Sequence, residues 1–301
     1  MQPLSLNGVT IDDSFAEAFD MAATGLVITA PTARWAEIAA RTMTGFATSV
    51  IACGVEAGID RELAPDETPD GRPGFRVLMF GFDGKGLEMQ IQNRVGQCVL
   101  TSPGSACFAG LEGTRKLKLG ATLRFFGDGN QISKRLGGKH YWRVPVMDGE
   151  FLVEHSTGLS ESAIGGGNLL ILGRSHAEVL EASEAAVAAA STVADVILPF
   201  PGGIVRSGSK VGSKYKALIA STNNAFCPVL RGDPGSELDA DTNCVMELVM
   251  DGLSFEAIQE SMRRGLHAAC AFGPEHGILR ISAGNYGGNL GRHHFKLRDL
   301  L

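Results

Sequence analysis

Glu247 is the residue whose setting most suggests chemistry. It interrupts an otherwise apolar run, Cys244-Val245-Met246-Glu247-Leu248-Val249-Met250. Strand alternation places it on one face with Val245 and Val249. If that face is buried, desolvation raises the carboxyl pKa and yields a general acid usable near neutrality. The same pattern also suits an exposed glutamate on an edge strand. A second unusual stretch, 199–214, sets Arg206, Ser207, Ser209, Lys210, Ser213 and Lys214 on a glycine-rich backbone. Flexible N–H groups, hydroxyls and cations together suit carboxylates or phosphates. P-loop spacing cannot be placed on it, since it contains no Gly-Lys pair, and a solvated basic loop is the plainer alternative. Ser221-Thr222-Asn223 and the segment 281–289, with Asn285, offer further amides and hydroxyls. Such segments are more often turns than sites. Gly165-Gly166-Gly167-Asn168 lacks both the spacing and the following helix of a dinucleotide fingerprint.

The seven histidines have no metal-cage spacing, and His293-His294 splits between opposite strand faces. No metal ligands are therefore assigned. The six cysteines include no C-x-x-C pair and read as reduced, mostly buried thiols. No G-x-S-x-G elbow is present. Of 301 residues, 44% are hydrophobic and 20% charged, so an ordered core is expected. A net charge of −6 without a basic block argues against nucleic acid or an anionic membrane as partner. The opening Met1-Gln2-Pro3-Leu4-Ser5 has no basic or apolar leader pattern, and no apolar run reaches membrane-spanning length. A soluble, cytoplasmic protein is the expectation.

The elements that must position these residues read as two halves with one grammar. In the first, 26–29 is a strand, Trp35, Ile38, Ala39 and Met43 mark a helix, and 48–53 is a strand. A turn-rich loop, 65–74, leads to a strand at 75–81, a helix at 87–95 and a strand at 97–101. In the second, strand 168–172, helix 177–190 and strand 193–198 precede the basic loop. Strand 244–250, helix 255–269 and strand 278–282 follow it. Phe82-Asp83-Gly84 and Met250-Asp251-Gly252 close equivalent strands. Each half is thus a βαββαβ unit, the ferredoxin-like sandwich. The fold class is α+β, by internal duplication, with antiparallel sheets covered by helices. The lobes are placed at 1–145 and 146–301. Between the halves, Leu123-Arg124-Phe125 and Tyr141-Trp142-Arg143-Val144 alternate like additional strands.

The segments also carry a family resemblance. Asn7-Gly8-Val9, Phe15-Ala16-Glu17-Ala18-Phe19, Thr44-Gly45-Phe46-Ala47-Thr48-Ser49-Val50-Ile51 and Glu56-Ala57-Gly58-Ile59-Asp60 belong to it. So do Glu67-Thr68-Pro69-Asp70-Gly71-Arg72-Pro73-Gly74, Phe125-Phe126-Gly127-Asp128-Gly129, Gly149-Glu150-Phe151, the loop 199–214, Ser221-Thr222-Asn223 and Ile281-Ser282-Ala283-Gly284-Asn285. Through them the whole chain resembles formylmethanofuran:tetrahydromethanopterin formyltransferases of methanogenic archaea and methylotrophic bacteria. The resemblance implies formyl transfer between N5 of tetrahydromethanopterin and the amine of methanofuran or an analogue, in one-carbon metabolism and formaldehyde oxidation. It implies that these carriers are co-substrates and that no cofactor is tightly bound. It implies a homotetramer of two ferredoxin-like lobes and a catalytic glutamate that falls on Glu247. Departures at Arg115-Lys116-Leu117-Lys118, at 273–277 and in the tail Gly291-Arg292-His293-His294-Phe295 favour a bacterial member, similar to the D-type subunit of a formyltransferase/hydrolase complex. The acidic tails of such carriers make Arg206, Lys210 and Lys214 candidate holders on chemical grounds. A non-catalytic subunit that binds the carrier for a hydrolase stays open as the alternative.

Overall fold

A computed structural model describes residues 4–301. Met1, Gln2 and Pro3, which open the stretch read as lacking a leader pattern, lie outside the described residues. Packing divides the chain into one unit of Met21–Ala163 and another of the residues up to Asp20 together with Ile164–Leu301. This division differs from lobes at 1–145 and 146–301. Strands Lys139–Val146 and Gly149–Glu154 form one hairpin, with Val146 opposite Gly149, and both stay with the first unit. At the other end, Val9–Ile11 adds to the C-terminal sheet beside Ile278–Ser282.

In Met21–Ala163 the central sheet runs Ala106–Ala109, Phe15–Thr29 (from Met21 on), Gly74–Gly81, Val55–Leu63, and every neighbouring pair is antiparallel. Gly149–Glu154 continues the sheet in parallel beyond Ala106–Ala109. Helix Ala33–Thr44 begins where the Thr32 hydroxyl accepts the Trp35 N–H. It buries Ala36, Ala39, Ala40 and Met43, mostly small side chains that let it lie close on the sheet. In the C-terminal unit the order is Ile278–Ser282, Ser160–Gly173, Cys244–Gly252, Val196–Ile197, again antiparallel throughout. Helices His176–Ala190 and Phe255–Cys270, capped by Ser175 and Ser254, cover one face. Against them the sheet turns Leu169, Ile171, Met246, Leu248 and Met250. Each such fully buried side chain contributes about 1.5–3 kcal/mol. Gly167 and Gly252 leave room for Ile258, since a Cβ at either would meet it at 2.4 and 2.7 Å. Numbered along the chain, both units therefore order their four central strands as fourth, first, third, second.

Four expected elements differ. Residues 48–53 are a strand only at Thr48–Ser49; the Ser49 hydroxyl then accepts the Ile51 N–H and starts the helical turn Val50–Cys53, so the long strand is Val55–Leu63. Residues 97–101 are not a strand. Leu87, Ile91, Val95 and Val99 bury one helical stripe, and the helix Gly84–Arg94 runs on through a π turn, Val95–Val99, before strand Ala106–Ala109. Leu123-Arg124-Phe125 lies in two helical turns, Gly120–Leu123 and Arg124–Gly127, with the Arg124 guanidinium over the Phe125 and Trp142 rings. The strand expected at 193–198 contracts to Val196–Ile197. Among the described residues no helix is long and apolar enough to cross a membrane.

Candidate active site

Glu247 lies at the centre of Cys244–Gly252, paired with Leu170 of Ser160–Gly173. Because Met246, Leu248 and Met250 turn to the two long helices, alternation points Glu247 to the opposite face of the sheet. Its backbone is pinned on its free side by Val205, whose N–H reaches the Glu247 carbonyl at 2.7 Å and whose carbonyl accepts the Glu247 N–H at 2.9 Å. The two residues after Val205, Arg206 and Ser207, are thereby placed beside the carboxyl. With Asn223 and Glu247 they line a cavity of about 370 Å³. Burial alone pushes the Glu247 carboxyl up to about 7. The edge-strand alternative does not hold, because neighbours occupy both sides of its strand.

The structure brings together Glu247, Arg206, Ser207 and Asn223 and leaves the other candidates outside the cavity lining. Lys210–Val211 pairs with Ala220–Ser221 to make an exposed hairpin. Ser209 and Lys210 lie on its outgoing arm, and the Lys210 ammonium donates to the Asn224 side-chain carbonyl. Ser213 and Lys214 sit near its tip, where the Ser213 hydroxyl accepts the Tyr215 N–H. The Ser221 hydroxyl braces the hairpin by donating to the Gly212 carbonyl. Asn285 donates to the Ser14 hydroxyl and accepts the Gly287 N–H, shaping the loop after the last central strand.

Other residues join the site that are not themselves assigned a role from the sequence. Thr222, Phe226 and Cys227 wall the cavity, and the Cys227 thiol donates to the Asn223 carbonyl. Asn168 is on the Glu247 face, two residues from Leu170, and its side chain bonds both the N–H and the carbonyl of Gly284. The loop 284–291 is thus drawn onto that face. Glu17, 1% exposed, accepts N–H groups from Tyr286, Gly288, Leu290 and Gly291 at 2.6, 2.8, 2.6 and 2.7 Å. Burial opposes its ionisation, but the four backbone donors prevail and hold the carboxyl down to about 2. Partial burial raises the Tyr286 phenol above its usual range, aided by the charges of Glu247 and Glu17, while the residue stays 38% exposed. Among the described residues no three His, Cys, Asp or Glu side chains are grouped to hold a metal ion.

Fold and cavity define a class: a largely antiparallel, two-lobed α+β protein with a glutamate facing a cavity on one side of a sheet. Comparison with known proteins makes that specific. A family profile described as formylmethanofuran-tetrahydromethanopterin formyltransferase matches residues 4–146, and one described as its proximal lobe matches 149–300. The chain is 58% identical over 306 residues to the D-type subunit of the formyltransferase/hydrolase complex of Methylorubrum extorquens, covering 100% of this chain and 98% of that one. It is 61% identical over 300 residues to a formylmethanofuran–tetrahydromethanopterin formyltransferase of Methylobacillus flagellatus, covering 98% and 99%. Among solved structures, the formyltransferase/hydrolase complex of Methylorubrum extorquens with methylofuran superposes at a TM-score of 0.98, with 58% identity and coverage of 100% and 99%. The formyltransferase of Methanosarcina barkeri superposes at 0.94, with 46% identity and coverage of 99% and 100%. The chain belongs to the formylmethanofuran-tetrahydromethanopterin formyltransferase family.

Proposed function

We propose that this chain transfers a formyl group between N5 of tetrahydromethanopterin and the amine of methanofuran or an analogue of it, with Glu247 as general acid. Relatives at 54–61% identity carry that activity in their names, and formyl transfer is accordingly the reaction of this chain. The two carriers are its co-substrates. The observation that carries the role of Glu247 is its carboxyl, raised to about 7 by burial and facing a cavity lined by Arg206, Ser207 and Asn223. The nitrogen lone pair of one carrier attacks the formyl carbon and a tetrahedral intermediate forms. As the second C–N bond breaks, the departing nitrogen takes a proton, which a neutral carboxylic acid supplies. The attacking nitrogen gives its own proton to the Glu247 carboxylate so formed, which restores the acid; the protons balance and no water is consumed. Arg206, Ser207 and Asn223 contact the carriers nearest the acid. The hairpin with Ser209, Lys210, Ser213, Lys214 and Ser221 takes acidic carrier tails, and Asn285 shapes the adjoining loop.

The same four-strand order in both units supports reading them as duplicated ferredoxin-like lobes. A sequence boundary near 145/146 is supported by the break between the two matched profiles. A relative named as a subunit of a formyltransferase/hydrolase complex supports assembly with hydrolase subunits, and on the family resemblance we also propose a homotetrameric core in the cytoplasm. Purified chain mixed with formyl-tetrahydromethanopterin and methanofuran should exchange the formyl group unaided. Glu247→Gln should keep carrier affinity and lower turnover by roughly 10²–10⁴. Wild-type turnover in that variant would remove Glu247 from the mechanism. Exchange by the wild type only after hydrolase subunits are added would favour the scaffold alternative.

A further inference from the structure

We infer that Glu17 is a positioning residue for the transfer reaction: through the loop 284–291 it holds the Tyr286 ring against the Glu247 side of the sheet, where the ring shields the acid. This inference rests on the reading of Glu247 given above. Glu17 contributes no atom to the cavity lining, and its carboxylate is fully engaged by four backbone donors. Gly287 and Gly288, at φ of +83° and +75°, curl the loop so that its N–H groups converge on the carboxylate. At the end of the loop a Cβ on Gly291 would lie 2.4 Å from the Ala18 carbonyl, so backbone rests directly on backbone. The large side chain at the head of this nest is Tyr286. Phe19, two residues beyond Glu17 on the same strand, supports that ring at a centroid distance of 5.9 Å. Asn168 clamps Gly284 on the Glu247 face. One strand segment therefore supplies both the anion that shapes the loop and the ring that backs Tyr286. The titratable or charged side chains around the acid are then Arg206 and Cys227 from the cavity wall and Tyr286 from the loop.

The test compares Glu17→Gln, Tyr286→Ala and the double variant. Gln keeps one acceptor oxygen but turns an amide toward two N–H donors, which should release half of the loop. Each single variant should lower kcat by roughly 10–100-fold, the usual cost of a misplaced active-site wall. Acting through one ring, the two changes should not multiply: the double variant should match the more severe single. The Glu247 carboxyl, followed by carbon-13 NMR, should titrate at lower pH in all three variants, because it becomes wetter. A folded Glu17→Gln with wild-type kcat, or losses that multiply, would overturn the inference. If Glu17→Gln fails to fold, Tyr286→Ala decides alone, and an unmoved Glu247 titration overturns it. The NMR arm needs no turnover, so a wild type inactive in exchange would sink the functional reading while shielding by Tyr286 is still judged.

Discussion

Glu247 and Glu17 show how one unit drives two carboxyls in opposite directions. The first is pushed up to about 7 by burial, whereas the second is held down to about 2 by backbone donors that outweigh burial. A pair separated in this way suits two roles, the proposed proton carrier and a permanent anion. If Glu247 is the proton donor proposed above, it works below its folded pKa, so kcat should decline as pH rises through about 7. A steady-state pH profile checks this, and a flat profile from pH 6 to 8 would contradict it. The same shift acts on stability. Since the folded pKa exceeds the unfolded one, burying the ionised group costs progressively more as pH rises from about 4.5 through about 7. Glu247→Gln should therefore raise Tm at pH 8 by about 2–4 °C and leave it nearly unchanged at pH 4. Differential scanning calorimetry at the two pH values measures the difference. Glu247 is legible in the sequence because a lone charge in an apolar strand is anomalous within seven letters. Glu17 is not: its four partners lie 269–274 residues away, and no local pattern announces them.

Loops and helices carry the next set of expectations. The segment 284–291 is ordered by an anion, so its order should depend on that anion's ionisation. With a depressed folded pKa, Glu17 contributes stability fully present above about 4.5 and lost as pH falls through about 2. Amide exchange of Gly288 and Gly291 should accelerate across that window before the strand Cys244–Gly252 loses protection. Simultaneous loss would show that the loop has no separate stability. Beneath helix Phe255–Cys270, Gly167→Ala should cost about 1–3 kcal/mol in denaturant unfolding, because the added methyl would meet Ile258 at 2.4 Å. An unchanged midpoint would mean that Ile258 moves aside freely. Helices with strong caps, such as Ser254 before Phe255–Cys270, are readable from the letters. The run 97–101 misleads because its β-branched residues suit a strand, whereas the buried stripe through Val95 and Val99 prolongs the helix. Likewise 48–53 reads as one extended run until the Ser49 cap divides it.

On the scale of the whole molecule, the alternation of strands and helices is legible along the chain, whereas the order of the strands within each sheet is set by their pairing. Where the units divide is not legible either, since this depends on which sheet the first strands join. Val9–Ile11 pairs with Ile278–Ser282, and strand His293–Lys296 closes on the start of Phe15–Thr29, with Lys296 opposite Phe15. The unit that bears Glu247 is consequently made from the first twenty residues and from Ile164 onward, with a complete second unit between. That interruption has a consequence for biosynthesis. Translation delivers Glu17 well before its last donor, Gly291, which lies 274 residues further on. Throughout elongation the intervening unit can fold on the ribosome, while the amino-terminal segment waits as an unmatched strand. Closure of the proposed centre therefore waits until Gly291 has been made, and a product truncated before that residue would keep the intervening unit and lack the loop that closes on Glu17.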